Sequence, residues 1–561
     1  VSDPAVLPII AIDVDAYDGQ TTRTIRYCAS SVPLVGTVGT VRAQYLSGLV
    51  TPLKLGSSIS AEQYGSPVRG APAGGGISYD LREEEWAELA WHYQGREFRA
   101  YLGDTATGYP SLGLVYKGRV ADLTFPVAGV IRAQLSITDA SADLDNPIVD
   151  AVYPDTALEP IRGLPLPELI GGPCLSHEPV LIDDPSGVYQ ITRPIADFPL
   201  VAVDNLRVGG VPWQQTTGTP FPGQYSVDLA AGTVTLGSTT LGMDVRVDAH
   251  TAPITTAGLL RFLVERAGGT VDDASMTALD LAAPYEIGWC TSTSPVNLLS
   301  ALDEIVAGIG GYWLFGPAGT FVAGVQETPT VLASTRTLTD REIAAMAESG
   351  MLPPAWRIRI EYSRIWAPQS TFGTAVTDAE KQRWSEGGTT AAAYENEDIK
   401  TAEPRAVDVP LIRSLVTNEA DALDIRDRLS SAWNVPRRVY DLNVWFDNAS
   451  PAPSLYETVD VDFQLVRGAF RVHSVIRSLG GEPSQIRLWG ESGIVGALVS
   501  LTSGDNSNLG SDNEDHTVDE GEPDDPPVDP GDEAFELTAD DDATVLTADD
   551  GTTPLTAGPS L

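Results

Sequence analysis

The side chains able to do chemistry in this 561-residue chain are plentiful but poorly spaced for it. Its five histidines, His92, His177, His250, His473 and His516, lack the spacing of metal ligands. His473 falls inside a strand-like run, where a structural role outweighs catalysis. Cys28, Cys174 and Cys290 are odd in number and far apart, and no Cys-x-x-Cys occurs, so neither a disulfide framework nor a zinc site is implied. Cys290 beside Trp289 would be a nucleophile only with a histidine at hand, and a core thiol is the better reading. Asp13-Val-Asp15 and Asp18-Gly19 hint at a calcium loop, but the glycine and closing acid are misplaced for an EF-hand. The His-Glu-x-x-His, Gly-x-Ser-x-Gly, Gly-x-x-x-x-Gly-Lys and Ser-x-x-Lys signatures are all missing. With 77 acids, a pair of carboxylates can be drawn almost anywhere, so no acid–base couple can be argued from spacing. The expectation is a protein without catalytic, cofactor or metal residues.

Composition narrows the class further. At this length three to five domains are the sensible expectation. Hydrophobic content of 42% can build cores, and 53 glycines with 41 prolines suit many short strands and turns. The formal charge is −42, and only Lys54, Lys117, Lys381 and Lys400 are lysines among 35 basic residues. That balance disfavours specific nucleic-acid binding and anionic lipid, because phosphate contacts need a basic face. It suits basic partners and solubility. No run approaches the roughly 18 apolar residues of a membrane helix, and Ala5-Val-Leu-Pro-Ile-Ile10 is short and broken by proline, so neither stable membrane insertion nor a signal peptide is expected.

The elements that would position these groups are mainly strands. Residues 1–155 read as a β domain, with strands at Ile9–Val14, Thr21–Tyr27, Leu112–Tyr116 and Val130–Ile137 and a short helix at Leu81–Tyr93. A Pro/Gly-rich connector opens a small antiparallel domain at 156–254. Residues 255–326 change character: helices at Thr256–Gly268, Asp273–Ala282 and Ser294–Ala307, the last with a serine cap and proline next, precede an aromatic hairpin, Gly311–Phe315 and Thr320–Ala323. Residues 327–500 hold a strand at Trp356–Tyr362, expected to pair with the module of residues 417–490, and a polar excursion from Ala367 to Thr401. Thr417 then caps a helix over 417–433, with Ala422, Ile425, Leu429, Ala432 and Trp433 on one side and Pro436 as the stop. Strands follow at Val439–Phe446, Thr458–Phe463, Phe470–Ile476 and Gln485–Trp489.

After Arg487 there is no lysine or arginine, and Leu501–Leu561 carries 18 acids. Residues 501–536 read as an acidic, solvated, disordered linker. Residues 537–561 repeat every nine positions: Leu537-Thr-Ala-Asp-Asp, Leu546-Thr-Ala-Asp-Asp and Leu555-Thr-Ala. Leu537, Leu546 and Leu555 could enter pockets on a partner as added strands, or the segment could be a solubilising tail.

The helix and strands of 417–490, ending in Leu488-Trp-Gly490, resemble the C-terminal module of tail-tip or baseplate hub proteins of tailed bacteriophages. The helix–helix–aromatic-hairpin order of 255–326 is similar to the same family, and so, more loosely, is the stretch from Leu114 to Pro147. The resemblance implies an α+β, mainly β, multi-domain chain with two tube-like β-barrels, a mixed α/β insertion and the disordered acidic extension. It implies a structural virion protein made in the host cytoplasm and sited at the tail tip, a homotrimer joining a six-fold tail to a three-fold tip. Its partners would be a distal tail protein, the tape-measure protein and tail fibre or tip proteins, with DNA passing through the lumen. Alternatives from other classes are an extracellular carbohydrate-binding adhesin and a glycoside hydrolase.

Overall fold

In the computed structural model, residues 8–491 are described apart from 31–32, 51–52, 60–63, 66–67, 72–75, 81–89, 105–110, 125–126, 129, 149–150, 317, 447–451, 465 and 480–481. Most of the expected 81–93 helix, the acidic linker and the nine-residue repeat lie outside the described residues. The architecture is mainly β, with helices inserted between sheets.

The N-terminal sheet has ten strands, running in order Leu34–Val38, Val41–Ser47, Thr22–Cys28, Pro8–Tyr17, Glu97–Asp104, Gly113–Thr124, Val130–Thr138, Gly76–Asp80 and Leu49–Val50, with Val127–Ala128 on one side. Alternation decides what each face buries. Ile10, Ile12, Val14 and Ala16 pack with Phe98, Ala100 and Leu135. On the opposite face Ala11 packs with Cys28, Tyr45, Tyr101 and Leu112.

The second large sheet, also ten-stranded, runs Phe321–Val325, Gly311–Phe315, Val68–Ala71, Leu53–Ile59, Val466–Leu479, Ser484–Gly490, Arg437–Val444 and Ile343–Leu352. Thr458–Phe463 branches off Val466–Leu479 and takes Arg336–Thr339 in parallel. Two of these strands come from the N-terminal region: Leu53 pairs with Leu479 and Ser58 with Ser474, while Val68 pairs with Tyr312. Among the described residues the tube-like β-barrels expected from the resemblance are not closed. A barrel requires the outermost strands to pair with each other, and among the described residues both sheets stay open at their ends.

Between the large sheets in sequence lie two small ones, a four-stranded sheet around Leu200–Val208 and Val245–Thr251 and a five-stranded one around Thr233–Leu236. Three helices follow, Thr256–Arg266, Asp273–Ala282 and Leu298–Gly308. The third starts later than its sequence suggested. Asn297 is the cap, accepting from Leu299 N and Ser300 N, so Ser294 and its proline belong to the preceding loop. Asn418, not Thr417, caps Glu419–Trp433, whose Ala422, Ile425, Leu429, Ala432 and Trp433 are buried in the same core as these helices.

The expected strand at 356–362 is broken in two. Ala355–Ile358 pairs with Tyr394–Glu395 and Val407–Asp408, and Ile360–Tyr362 with Thr389–Thr390 and Ile412–Arg413. It therefore pairs within its own region rather than with the strands after residue 436. The excursion after Ala367 is docked, not free. Arg246 Nε donates to Ala367 O, Ser370 and Thr371 donate their amides to Asp244, and the Trp384 ring lies 3.5 Å from the Arg207 guanidinium.

Candidate functional site

The chemistry-bearing residues singled out by type are consumed by structure. Asp13 is buried beside Arg26 and Arg99, at 3.6 and 3.8 Å, and burial raises its pKa against their pull. Asp15 meets Arg99 at 3.1 Å and accepts from the Thr24 hydroxyl. Asp18 accepts the Gln20 and Thr21 amides, and those bonds hold its carboxyl below the usual range. The oxygens that a calcium ion would need are thus turned to arginines and a turn. Among the described residues no three His, Cys, Asp or Glu side chains are grouped to hold a metal.

The histidines are dispersed. His92 exchanges backbone bonds with Tyr17. His250 faces Asp204 at 2.9 Å. The buried His177 ring meets the Ile191 carbonyl at 2.8 Å, and desolvation lowers its pKa to about 4. His473 is stacked between Tyr456 and Trp489, with centroids at 6.4 and 5.5 Å. Burial, with Arg487 and Arg471 nearby, lowers its pKa to about 3. His516, like Leu537, Leu546 and Leu555, lies outside the described residues. Cys290 and Trp289 are both core residues.

What the sequence left unread is a set of arginines that lock elements together. Helices end with unpaired carbonyls, and two arginines satisfy them here. Arg428 donates to Ile309 O, Gly310 O and Gln326 O, closing the end of Leu298–Gly308. Arg437, 1% exposed, donates from Nε and Nη2 to Ala432 O at 3.2 and 3.1 Å and lies over the Trp489 ring. A continuous stack therefore crosses the C-terminal sheet: Tyr312, Tyr456, His473, Trp489 and Arg437. The only sequence signal was Arg437 directly after the helix-stopping Pro436, in the C-cap region where cations are favoured.

The surface this scaffold presents is a sheet edge. Ile343–Leu352 pairs on one side with Arg437–Val444, and Glu348 and Arg438 meet at 2.5 Å across the pair. On its other side no strand pairs with it among the described residues. Met346 packs against the core, whereas Ala344, Ala345, Ala347, Glu348 and Ser349 are exposed. Unpaired backbone donors and acceptors along such an edge accept a further strand. Chemically the arrangement can bind backbone and pack side chains; it offers no nucleophile with a base.

No family model and no curated protein matches the chain. Solved structures to which it is similar include tail proteins. One is the tail protein from Neisseria meningitidis MC58, at 10% identity, covering 87% of this chain and 98% of that one, with a TM-score of 0.37. Another is the 43 kDa tail protein of prophage MuSo2 from Shewanella oneidensis, at 13% identity, 81% and 98% coverage and a TM-score of 0.35. A third is prophage tail protein gp18 from Listeria monocytogenes EGD-e, at 6% identity, 88% and 99% coverage and a TM-score of 0.36. At these scores the likeness carries no argument, and the reading of function rests on the chain itself.

Proposed function

We propose that the chain is a structural protein of a phage tail, a hub at the distal end that joins a six-fold tail to a three-fold tip. The observation that supports this reading is the presence of two ten-stranded sheets in one chain, bound together by strands Leu53–Ile59 and Val68–Ala71. Three copies of a chain with two such sheets supply six comparable units, which is what a symmetry adaptor must provide. The exposed edge of Ile343–Leu352 suits contact between copies. The distal tail protein, the tape-measure protein and fibre or tip proteins are the partners this role requires, and the excess of acids would let DNA pass with little adhesion. Leu537, Leu546 and Leu555 serve fibre or tip attachment.

Immunogold electron microscopy of particles released from the source culture tests the reading. Label at the tip of tailed particles is expected. Label on cells or in the soluble fraction, with none on intact particles, would sink it. Deleting residues 501–561 should strip fibres from otherwise intact tails; fibres retained at full occupancy would remove the docking role of the three leucines.

A further inference from the structure

Two of the three cysteines meet inside the small β region. Cys174 begins the strand Cys174–His177, and Cys290 lies in Gly288–Thr291, a strand whose four residues are all buried. Gly288 and Cys290 are two positions apart and so face the same side of their strand. The Cys174 Sγ sits on that side, 3.1 Å from where a Cβ on Gly288 would stand. Both cysteines belong to one core with Leu169, Ile191, Val247 and Ala249, whereas Cys28 lies in a different core beside Tyr45. The absence of a side chain at Gly288 is what lets the sulfur of Cys174 settle against this strand and toward its partner.

We propose that Cys174 and Cys290 form a redox pair that closes to a disulfide when the protein leaves a reducing environment. With a small disulfide such as glutathione disulfide as oxidant, one protein thiolate attacks a glutathione sulfur and expels one glutathione thiolate. The second protein thiolate then attacks the protein sulfur of that mixed disulfide and expels the other. Two protein thiols are oxidised, one glutathione disulfide is reduced to two glutathiones, and the two protons released pass to the leaving thiolates. Burial, together with the neighbouring Cys174, pushes the Cys290 thiol up, so the thiolate is scarce and closure is slow at neutral pH. The bond would tie the sheet of Val245–Thr251 to the strand pair Glu168–Gly171 and Gly288–Thr291, fastening the small β region to the helical core. This proposal does not depend on the hub reading.

The test incubates the full chain with glutathione disulfide or reduced glutathione at pH 8.5, then counts thiols in denaturant and maps peptides by mass spectrometry. The reduced sample should keep three thiols. The oxidised one should keep one, with the loss of two hydrogen masses and a single cross-linked peptide pair carrying Cys174 and Cys290. Cys28→Ser should still lose two thiols on oxidation, and Cys174→Ser should give no intramolecular cross-link. Three thiols surviving oxidation, glutathione held on separate cysteines, or a cross-link to Cys28 would each overturn the pairing.

Discussion

His473 lies between the Tyr456 and Trp489 rings, where its protonation would place a cation beside Arg471 and Arg487 without water to screen it. Its pKa is about 3 in the fold, against about 6.5 in the unfolded chain. His177 behaves alike, with a folded value of about 4. Between these limits the unfolded chain binds more protons, so stability is complete above pH ~6.5 and falls as the pH drops toward 3, by about 1.4 kcal/mol per pH unit for each histidine. His473→Phe keeps a flat ring in the stack and removes the proton. The slope of unfolding free energy between pH 6.5 and 4, from urea melts, should fall by about half relative to the native chain. Parallel slopes for the two proteins would show that the stack does not govern acid sensitivity. Carboxylates held low by hydrogen bonds, such as Asp441 beneath Arg487, lose their contribution at lower pH, so the two windows separate. A second residue-scale outcome concerns Arg437. Truncation to Ala leaves the Ala432 carbonyl without its two donors and opens space beneath Trp489, for a cost of about 2–4 kcal/mol. Thermal melts check it, and a change under about 0.5 kcal/mol would contradict the capping role.

At the scale of elements, local pattern told much and distant pairing told little. The helix Glu419–Trp433 and the strands Arg437–Val444, Thr458–Phe463, Val466–Leu479 and Ser484–Gly490 all carry periodic apolar positions, and all are legible within a few residues. Ile343–Leu352 was not legible. Its Ala344-Ala-Met-Ala-Glu-Ser-Gly350 run lacks β-branched residues, and it is a strand because Arg437–Val444 supplies a partner ladder. The docking of the excursion after Ala367 was hidden for a similar reason: Trp384 and Arg207 are far apart in sequence and meet only once both segments are folded. Of the candidate site, nothing in local spacing pointed to the free edge, which appears only when the sheet is assembled. That edge carries the next prediction. Lysines disfavour strand addition by placing charge along the unpaired ladder. Ala345→Lys with Ala347→Lys, both exposed, should leave the far-ultraviolet circular dichroism unchanged and reduce the proposed trimer to a 59.5 kDa monomer by light scattering. A trimer that survives both lysines would move the interface elsewhere on the chain.

For the whole molecule, the decisive contact is one no local signal announces: Leu53–Ile59 leaves the N-terminal sheet and becomes a central strand of the other, between Val68–Ala71 and Val466–Leu479. The next strand, Val68–Ala71, joins the same sheet, while Leu49–Val50 before this pair and Gly76–Asp80 after it remain in the first, so the chain is threaded between the two. Pulling either sheet apart therefore disturbs the other, consistent with the described residues lying within a single compact unit. The cooperativity has a measurable signature. In native-state hydrogen exchange, amides of Thr22–Cys28 and of Ser484–Gly490 should share one opening free energy, because the chain leaves the first sheet for Leu53–Ile59 and Val68–Ala71 of the second and then returns. Ser57→Pro removes a donor from the middle of that strand, opposite Val475, and so weakens the ladder there. The second sheet should then exchange faster than the first, splitting one transition into two. If the two strands already exchange at different free energies in the native chain, the sheets are independent folding units and the threaded strand is a tether between them. The proposed role at a tail tip calls for the first outcome, since load applied to one sheet then reaches the other through hydrogen-bonded backbone rather than through a flexible link.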